Sequence, residues 1–201
     1  ILIDGKGHIW MANAVSGVIR FDGQSFTYFT EEEGLSRNRV WGLMEDSQGR
    51  IWMGHSTGLD VFLYGEEKPS SILQYDFGGR IGVGLIEDDQ GDVWYSSNLS
   101  LFGDGRLKIN ESGEITKIIK FDPSSGMSGG GVGAIEMDKR GNIWIGTPAG
   151  GVNRIAPHSF KIYSSTVDSL PVRLVSSITE DEKGHYWFGN ATSAFFSIAL
   201  R

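Results

Sequence analysis

The chain contains no cysteine, which excludes disulfide staples and thiolate metal sites and leaves its compartment open. Proline is scarce, 5 residues in 201, whereas glycine reaches 29, a balance that favours many tight turns over a disordered tail. No run approaches the roughly 18 apolar residues of a helical membrane span. Lys and Arg number 18 against 25 Asp and Glu, a net charge of −7, and the cations are scattered, which argues against nucleic acid or an anionic membrane surface as main partner. With 39% of residues hydrophobic and 21% charged, there is enough apolar material for a real core. The first residues, ILIDG, read as mid-strand and lack Met, so a longer parent protein is expected.

What is present is a repeat. Aligned on tryptophan, one phrase occurs five times, at Trp10, Trp52, Trp94, Trp144 and Trp187, with spacings of 42, 42, 50 and 43 residues. Its clearest copies are DSQGRIWMG and MDKRGNIWIGT, and five of the six Trp residues occupy this slot. A period in the forties fits either propeller blades or helical pairs.

The flanks decide for strands. The neighbours of each Trp are large and apolar (Ile9 and Met11, Ile51 and Met53, Val93 and Tyr95, Ile143 and Ile145, Tyr186 and Phe188), as in a strand buried on both faces. Two residues past each Trp the chain is small: Ala12, Gly54, Ser96, Gly146 and Gly189. A second apolar run precedes each motif, with Gly42, Gly84, Ala134 or Ser177 followed by Leu43, Leu85, Ile135 or Ile178; that reads as an innermost strand crowded at a central axis. A third strand (GVIRF, LDVFLY, GVNRI) and a fourth (FTYF, ILQY, FKIY) complete the unit. Within the motif, Asp at the first position and Gly at the fourth predict a type I turn with Gly at positive φ, setting the hairpin register so that Trp faces inward. Such a turn offers too few carboxylates for a calcium site, and no metal or other cofactor is expected.

The pattern ED-x-x-G-x-IW-x-GT-x-x-G[LV]-x-R resembles the two-component regulator propeller repeat, over essentially the whole chain, with the Trp94 copy departing after its Trp in YSSNLSLFGDG. The resemblance implies an all-β propeller of four-stranded antiparallel blades. Blades are expected at about 1–36, 37–78, 79–128, 129–170 and 171–201, the last incomplete, forming an arc of a larger, seven-bladed ring. It also implies the extracytoplasmic, periplasmic-side sensor region of a bacterial hybrid two-component system. The expected partners are a small-molecule or carbohydrate ligand, the remaining blades and signalling modules of the parent chain, and a second copy through a parent homodimer, with no nucleic acid.

Strand parity places the Asp-x-x-Gly turns on one face and the second-to-third turns with the blade-to-blade crossings on the other. Propellers commonly bind over the axis at that second face. The candidate ligand-binding residues there are Arg37, Asn38, Arg39 and Trp41 in the first crossing, Arg80 and Arg173 in later ones, and His55, Asn98, Thr147 and Asn190 from the turns. Arginine forks suit carboxylate, sulfate or sugar-like groups; solvated loop charge is the blander reading.

Catalytic residues are not expected. HExxH, Gly-x-Ser-x-Gly and phosphate-loop signatures are missing, and GGGVG at 129–133 reads as a crossing turn. His8 and His185 share a slot with Arg50, Asp92 and Asn142, so the slot is read as solvated. The alternatives are a propeller lyase or hydrolase of the streptogramin-lyase type and a non-catalytic interaction scaffold.

Overall fold

A computed structural model describes residues 1–55, 57–63, 70–74, 81–97, 104–110, 115–121, 133–147, 150–156, 159–163, 174–189 and 196–198. Every strand among them lies in one of five antiparallel meanders in which neighbours in sequence are neighbours in the sheet. The first holds β1 (Leu2–Ile3), β2 (Ile9–Asn13), β3 (Gly17–Phe21) and β4 (Phe26–Phe29). The second holds β5 (Val40–Glu45), β6 (Ile51–His55), β7 (Gly58–Phe62) and β8 (Ser70–Gln74). The third holds β9 (Ile81–Glu87), β10 (Val93–Ser97), β11 (Asp104–Ile109) and β12 (Ile115–Phe121). The fourth holds β13 (Ala134–Met137), β14 (Ile143–Thr147), β15 (Gly151–Ala156) and β16 (Ser159–Tyr163). The fifth has three described strands, β17 (Ser177–Glu180), β18 (Tyr186–Gly189) and β19 (Phe196–Ile198). These are propeller blades, as the repeat predicts.

The turn between first and second strands repeats five times with the same hydrogen bonds. Gly7, Gly49, Gly91, Gly141 and Gly184 all have φ between 76° and 84°, a region that side chains disfavour. Each of these glycines donates its N–H to the motif Asp carbonyl, as Gly141 does to Asp138 at 2.9 Å. The aspartate contributes more than a turn. In each copy its Oδ2 accepts the indole N–H of the repeat Trp, at 2.7 Å for Trp10, Trp52 and Trp94, 2.8 Å for Trp144 and 3.1 Å for Trp187. Its Oδ1 accepts two backbone N–H groups, as Asp138 does from Arg140 and Asn142. A buried carboxylate with these donors is satisfied without a counter-ion.

The slot two before each Trp serves the motif aspartate, and it is buried in three of the five copies. His8 and His185 place Nδ1 at 2.9 and 3.0 Å from the aspartate, Asn142 donates Nδ2–H to it at 2.8 Å, and Arg50 pairs with Asp46. Arg50, Asp92 and Asn142 are buried. A residue beside a buried carboxylate must offer it a donor, and several side chains can do so; that is why the slot varies. Asp92 cannot, and Arg106 from β11 bridges Asp88 and Asp92 instead.

The core lies between blades. Four of the five repeat Trp residues are roofed by the next sheet: Trp10 by Ile51, Met53 and Phe62, Trp52 by Val93, Tyr95 and Leu107, Trp94 by Ile143 and Ile145, and Trp144 by Tyr186 and Phe188. Arg20, Arg106 and Arg154, which pair directly with their Trp across the second and third strands, lie 5.3 to 5.9 Å over the indole rings. The inner strands pack in succession, β5 to β9 to β13 to β17. Crowding there explains the small residues: a Cβ on Gly84 would lie 2.2 Å from Ile135 Cγ2, and one on Gly146 would lie 2.6 Å from Val175 Cγ1.

The succession has two ends. Trp187 is 39% exposed, while the other four repeat Trp residues are at most 3% exposed. At the opposite end Ile3, Phe26 and Tyr28 of the first sheet are 57 to 67% exposed. Among the described residues, no packing comparable to that between successive inner strands joins β17 back to β1.

Candidate functional site

On the face away from the Asp-x-x-Gly turns, the crossings rest on the second-to-third turns. The first crossing is the most fully described. Asn13 caps its own turn by accepting N–H from Val15 and Ser16 at 2.8 and 3.1 Å. The next residue into β3, Gly17, donates its N–H to the Asn38 carbonyl at 2.8 Å. Its φ is 84° and a Cβ would strike the Phe29 carbonyl oxygen at 2.1 Å, so only glycine fits where these two loops meet. In the crossing before β17 the roles are exchanged: Val175 N–H donates to the Thr147 carbonyl at 3.1 Å, and Ser176 N–H donates to that of Gly189, in its own sheet, at 2.9 Å.

Asn38 is locked in place. Its Oδ1 accepts Glu31 N–H at 2.8 Å and its own N–H donates to Glu31 Oε1 at 3.0 Å. Arg37 and Arg39 stay exposed on either side; Arg37 donates to the Ser36 carbonyl at 2.8 Å, and Arg39 Nε lies 3.4 Å from the Ala14 carbonyl. The rim therefore presents two guanidinium groups flanking, in sequence, the Asn38 that holds Glu31, a mixed field in place of a purely cationic one. Trp41 is half-buried at the register shift between Val40 and Gly42, where a bulge takes it out of the ladder.

Beneath the rim lies a polar cluster that sequence reasoning did not single out. Asp60 on β7 is fully buried and accepts Ser36 N–H at 2.8 Å and Ser36 Oγ–H at 2.7 Å. Its Oδ1 is also 3.5 Å from Nε2 of His55, which is likewise fully buried. His55 Nδ1 in turn accepts Thr57 N–H at 3.2 Å. A carboxylate below the surface thus holds the segment that carries Arg37 and Arg39. The available signal was a charged residue inside the apolar run LDVFLY, which costs free energy unless hydrogen-bonded.

Thr147 sits in the slot of His55 and does a similar local job: its hydroxyl donates to the Gly151 carbonyl at 3.1 Å and accepts Gly150 N–H at 3.0 Å. His55 and Thr147 therefore lie under the rim as supports, while Arg37 and Arg39 reach solvent. Arg80, Asn98, Arg173 and Asn190, with most of the insertion after Trp94, fall outside the described residues.

Comparison with known proteins fits this geometry. Residues 34–57 and 126–149 match the family described as Two component regulator propeller; each match runs from before an inner strand through the Asp-x-x-Gly turn and past the repeat Trp. A 59-residue stretch, 26% of this chain and 4% of its relative, is 41% identical to Histidine kinase P4 of Formosa agariphila. Among solved structures, the chain is similar to the extracellular domain of the hybrid two component system BT3049 from B. thetaiotaomicron, with a TM-score of 0.71 and 17% identity over 95% of this chain. It is also similar to a virginiamycin B lyase from Staphylococcus aureus, with a TM-score of 0.69 and 18% identity over 98% of this chain. It spans 25% of the first structure and 67% of the second. At such identities these structures share the fold. The chain is a run of β-propeller blades, two stretches of which match the two-component regulator propeller model.

Proposed function

We propose that this segment is a ligand-sensing, extracytoplasmic input region of a two-component signalling protein, a hybrid histidine kinase, with no catalysis of its own. The observation that carries the reading is the repeat match over β5–β6 and β13–β14, joined by the short stretch of identity to a histidine kinase. The ligand is a small molecule or oligosaccharide bound on the face of the crossings, with Arg37, Arg39 and Arg173 as first contacts and Asp60 holding the first crossing in register. Because Glu31 is bonded to Asn38, the residue that separates the two described arginines in sequence, a polar, sugar-like ligand suits this rim better than a densely anionic one.

The remaining blades of the parent chain would cover both ends of the arc. Trp187 awaits the roof that its four counterparts have, and the Ile3, Phe26 and Tyr28 face matches the side of a blade that roofs a preceding Trp. The whole ring would contain seven blades, and the kinase and dimerising modules would lie elsewhere in the parent.

Isothermal titration against a panel of neutral and acidic oligosaccharides tests the site. Arg39→Ala and Arg173→Ala should each weaken binding about tenfold, a loss of about 1.4 kcal/mol, with unfolding midpoints unchanged. Undiminished affinity in both variants would remove the crossings as the ligand face.

A further inference from the structure

Three of the four blade junctions share a clasp on the face of the Asp-x-x-Gly turns. The glutamate just before the motif Asp of one blade accepts the backbone N–H just after the motif Asp of the preceding blade. Glu45 takes Gly5 N–H at 2.7 Å, Glu87 takes Ser47 N–H at 2.6 Å and its Oγ–H at 2.8 Å, and Glu180 takes Lys139 N–H at 2.9 Å. At the junction of the third and fourth sheets the glutamate position is Met137, and the turn residue facing it is Asp89. The Asp89 N–H makes no hydrogen bond to any described residue.

The groove at this junction is also the larger one. It holds about 320 Å³ between the Asp88–Gln90 turn and Ile143 and Ile155 of the fourth sheet, whereas the corresponding groove between the second and third sheets, under Ser47 and Glu87, holds about 130 Å³. The larger value lies at the lower end of the ~300–1,000 Å³ typical of small-molecule sites.

The lining defines what could enter. Asp88 and Asp92 are balanced by Arg106 and Lys108: Asp88 Oδ2 accepts the Trp94 indole N–H at 2.7 Å and lies 3.1 Å from the Arg106 guanidinium, which also pairs with Asp92 and sits 5.3 Å over the Trp94 ring, while Lys108 Nζ lies 3.3 Å from Asp92. The groups left to a ligand are the exposed Asp89 carboxylate, an acceptor, the Asp89 N–H, a donor, and the exposed Gln90 side-chain amide, which can both donate and accept, with Ile143 and Ile155 as an apolar wall. An anion would be repelled by the carboxylate. An ammonium would leave the N–H without an acceptor. A hydroxyl both donates and accepts, and a ring bearing several hydroxyls also offers C–H faces to the isoleucines.

We propose that this groove, between the third and fourth blades on the face of the Asp-x-x-Gly turns, binds an uncharged polyhydroxylated small molecule of the sugar class. It is separate from the crossing face, and neither site depends on the other.

The test is a ¹H–¹⁵N correlation titration of the full chain with cellobiose, and with glucuronate and glucosamine as charged counterparts. Cellobiose should shift the amides of Asp89, Gly141 and Ile155 in a saturable way. Two variants should each cut that affinity at least about tenfold. Ile155→Phe fills the groove with the aromatic that Phe62 supplies at the equivalent pairing position of the second sheet. The double change Asp89→Ser with Met137→Glu transplants the Ser47–Glu87 clasp: it removes the Asp89 carboxylate and gives the N–H at position 89 an acceptor, in exchange for the packing of Met137 on the cluster of Trp94, Ile135, Ile143 and Ile145. The proposal is overturned if cellobiose leaves these three amides unmoved, if binding survives both variants, or if a charged sugar binds and cellobiose does not.

Discussion

Tyr186 of the fifth sheet donates its phenolic hydrogen to Asp138 of the fourth, at 2.6 Å. The same oxygen also receives Trp144 Nε1–H and Asn142 Nδ2–H, so one blade's turn is finished by the side chain of the next. Tyr186 also lies 4.3 Å from Trp144, ring to ring. Replacing Tyr186 by Phe keeps the ring and removes the donor. The expected cost is about 1.5–3 kcal/mol, the usual range for a hydrogen bond to a charged group, read as a lower urea midpoint with unchanged m-value. A change of a few tenths would show that the blade junction does not rely on this bond.

Burial works to raise the Asp138 carboxyl, but the donors of Trp144, Tyr186 and Asn142 outweigh it and hold the pKa at about 2. Tyr186 itself is pushed upward by burial and by this carboxylate, and stays protonated as the donor. A depressed carboxylate contributes stability above its unfolded value of 3.8 and loses it as pH falls toward about 2. The contribution is on the order of 2 kcal/mol. Urea midpoints should fall between about pH 4 and pH 2 and fall less steeply in Asp138→Asn. Parallel slopes for the two proteins would count against the assignment.

Trp144 and Trp187 occupy one repeat slot and should respond differently to truncation. Trp144→Ala removes a 1% exposed ring and should cost roughly 3–5 kcal/mol. Trp187→Ala removes a ring that is 39% exposed, and about 1–2 kcal/mol is expected. Equal losses in thermal or urea unfolding would mean that Trp187 is covered in solution.

Asp60→Ala should free the first crossing. It deletes the acceptor of both Ser36 hydrogen bonds and leaves His55 beside an empty carboxylate position, at about 1–3 kcal/mol. Hydrogen exchange should accelerate at Ser36 and at Gly17, whose N–H bonds the Asn38 carbonyl, before it does in β6. Uniform acceleration would point to global destabilisation instead.

The blade was legible because its parts are local and repeated. Asp138, Gly141 and Trp144 lie within seven residues and recur five times, so turn, register and core position follow from counting. The indole–carboxylate bond was not, because alternation says which face Trp takes and nothing about where Nε1 points. The variable slot of His8 and Arg50 was read as solvated for a related reason: tolerance of many polar residues looks like exposure, yet here it reflects many ways to donate to one buried carboxylate. Asp60 occurs once and its partner Ser36 lies 24 residues away, so no periodicity marks it. On the crossing face, residue type alone placed Arg37 and Arg39 in solvent, but it could not separate them from His55 and Thr147, which the turns bury.

The glutamate clasp and the aspartate turn it reaches are written into adjacent residues, Glu45–Asp46, Glu87–Asp88 and Glu180–Asp181. Each unit therefore carries both halves of the same lock, one for the neighbour before it and one for the neighbour after it. Copying such a unit copies a working interface with it, so blades can be duplicated, deleted or reordered without inventing a new junction. Met137 marks the other side of this freedom: once the lock is redundant, a single copy can lapse, and the vacated seam is open to acquire a different use.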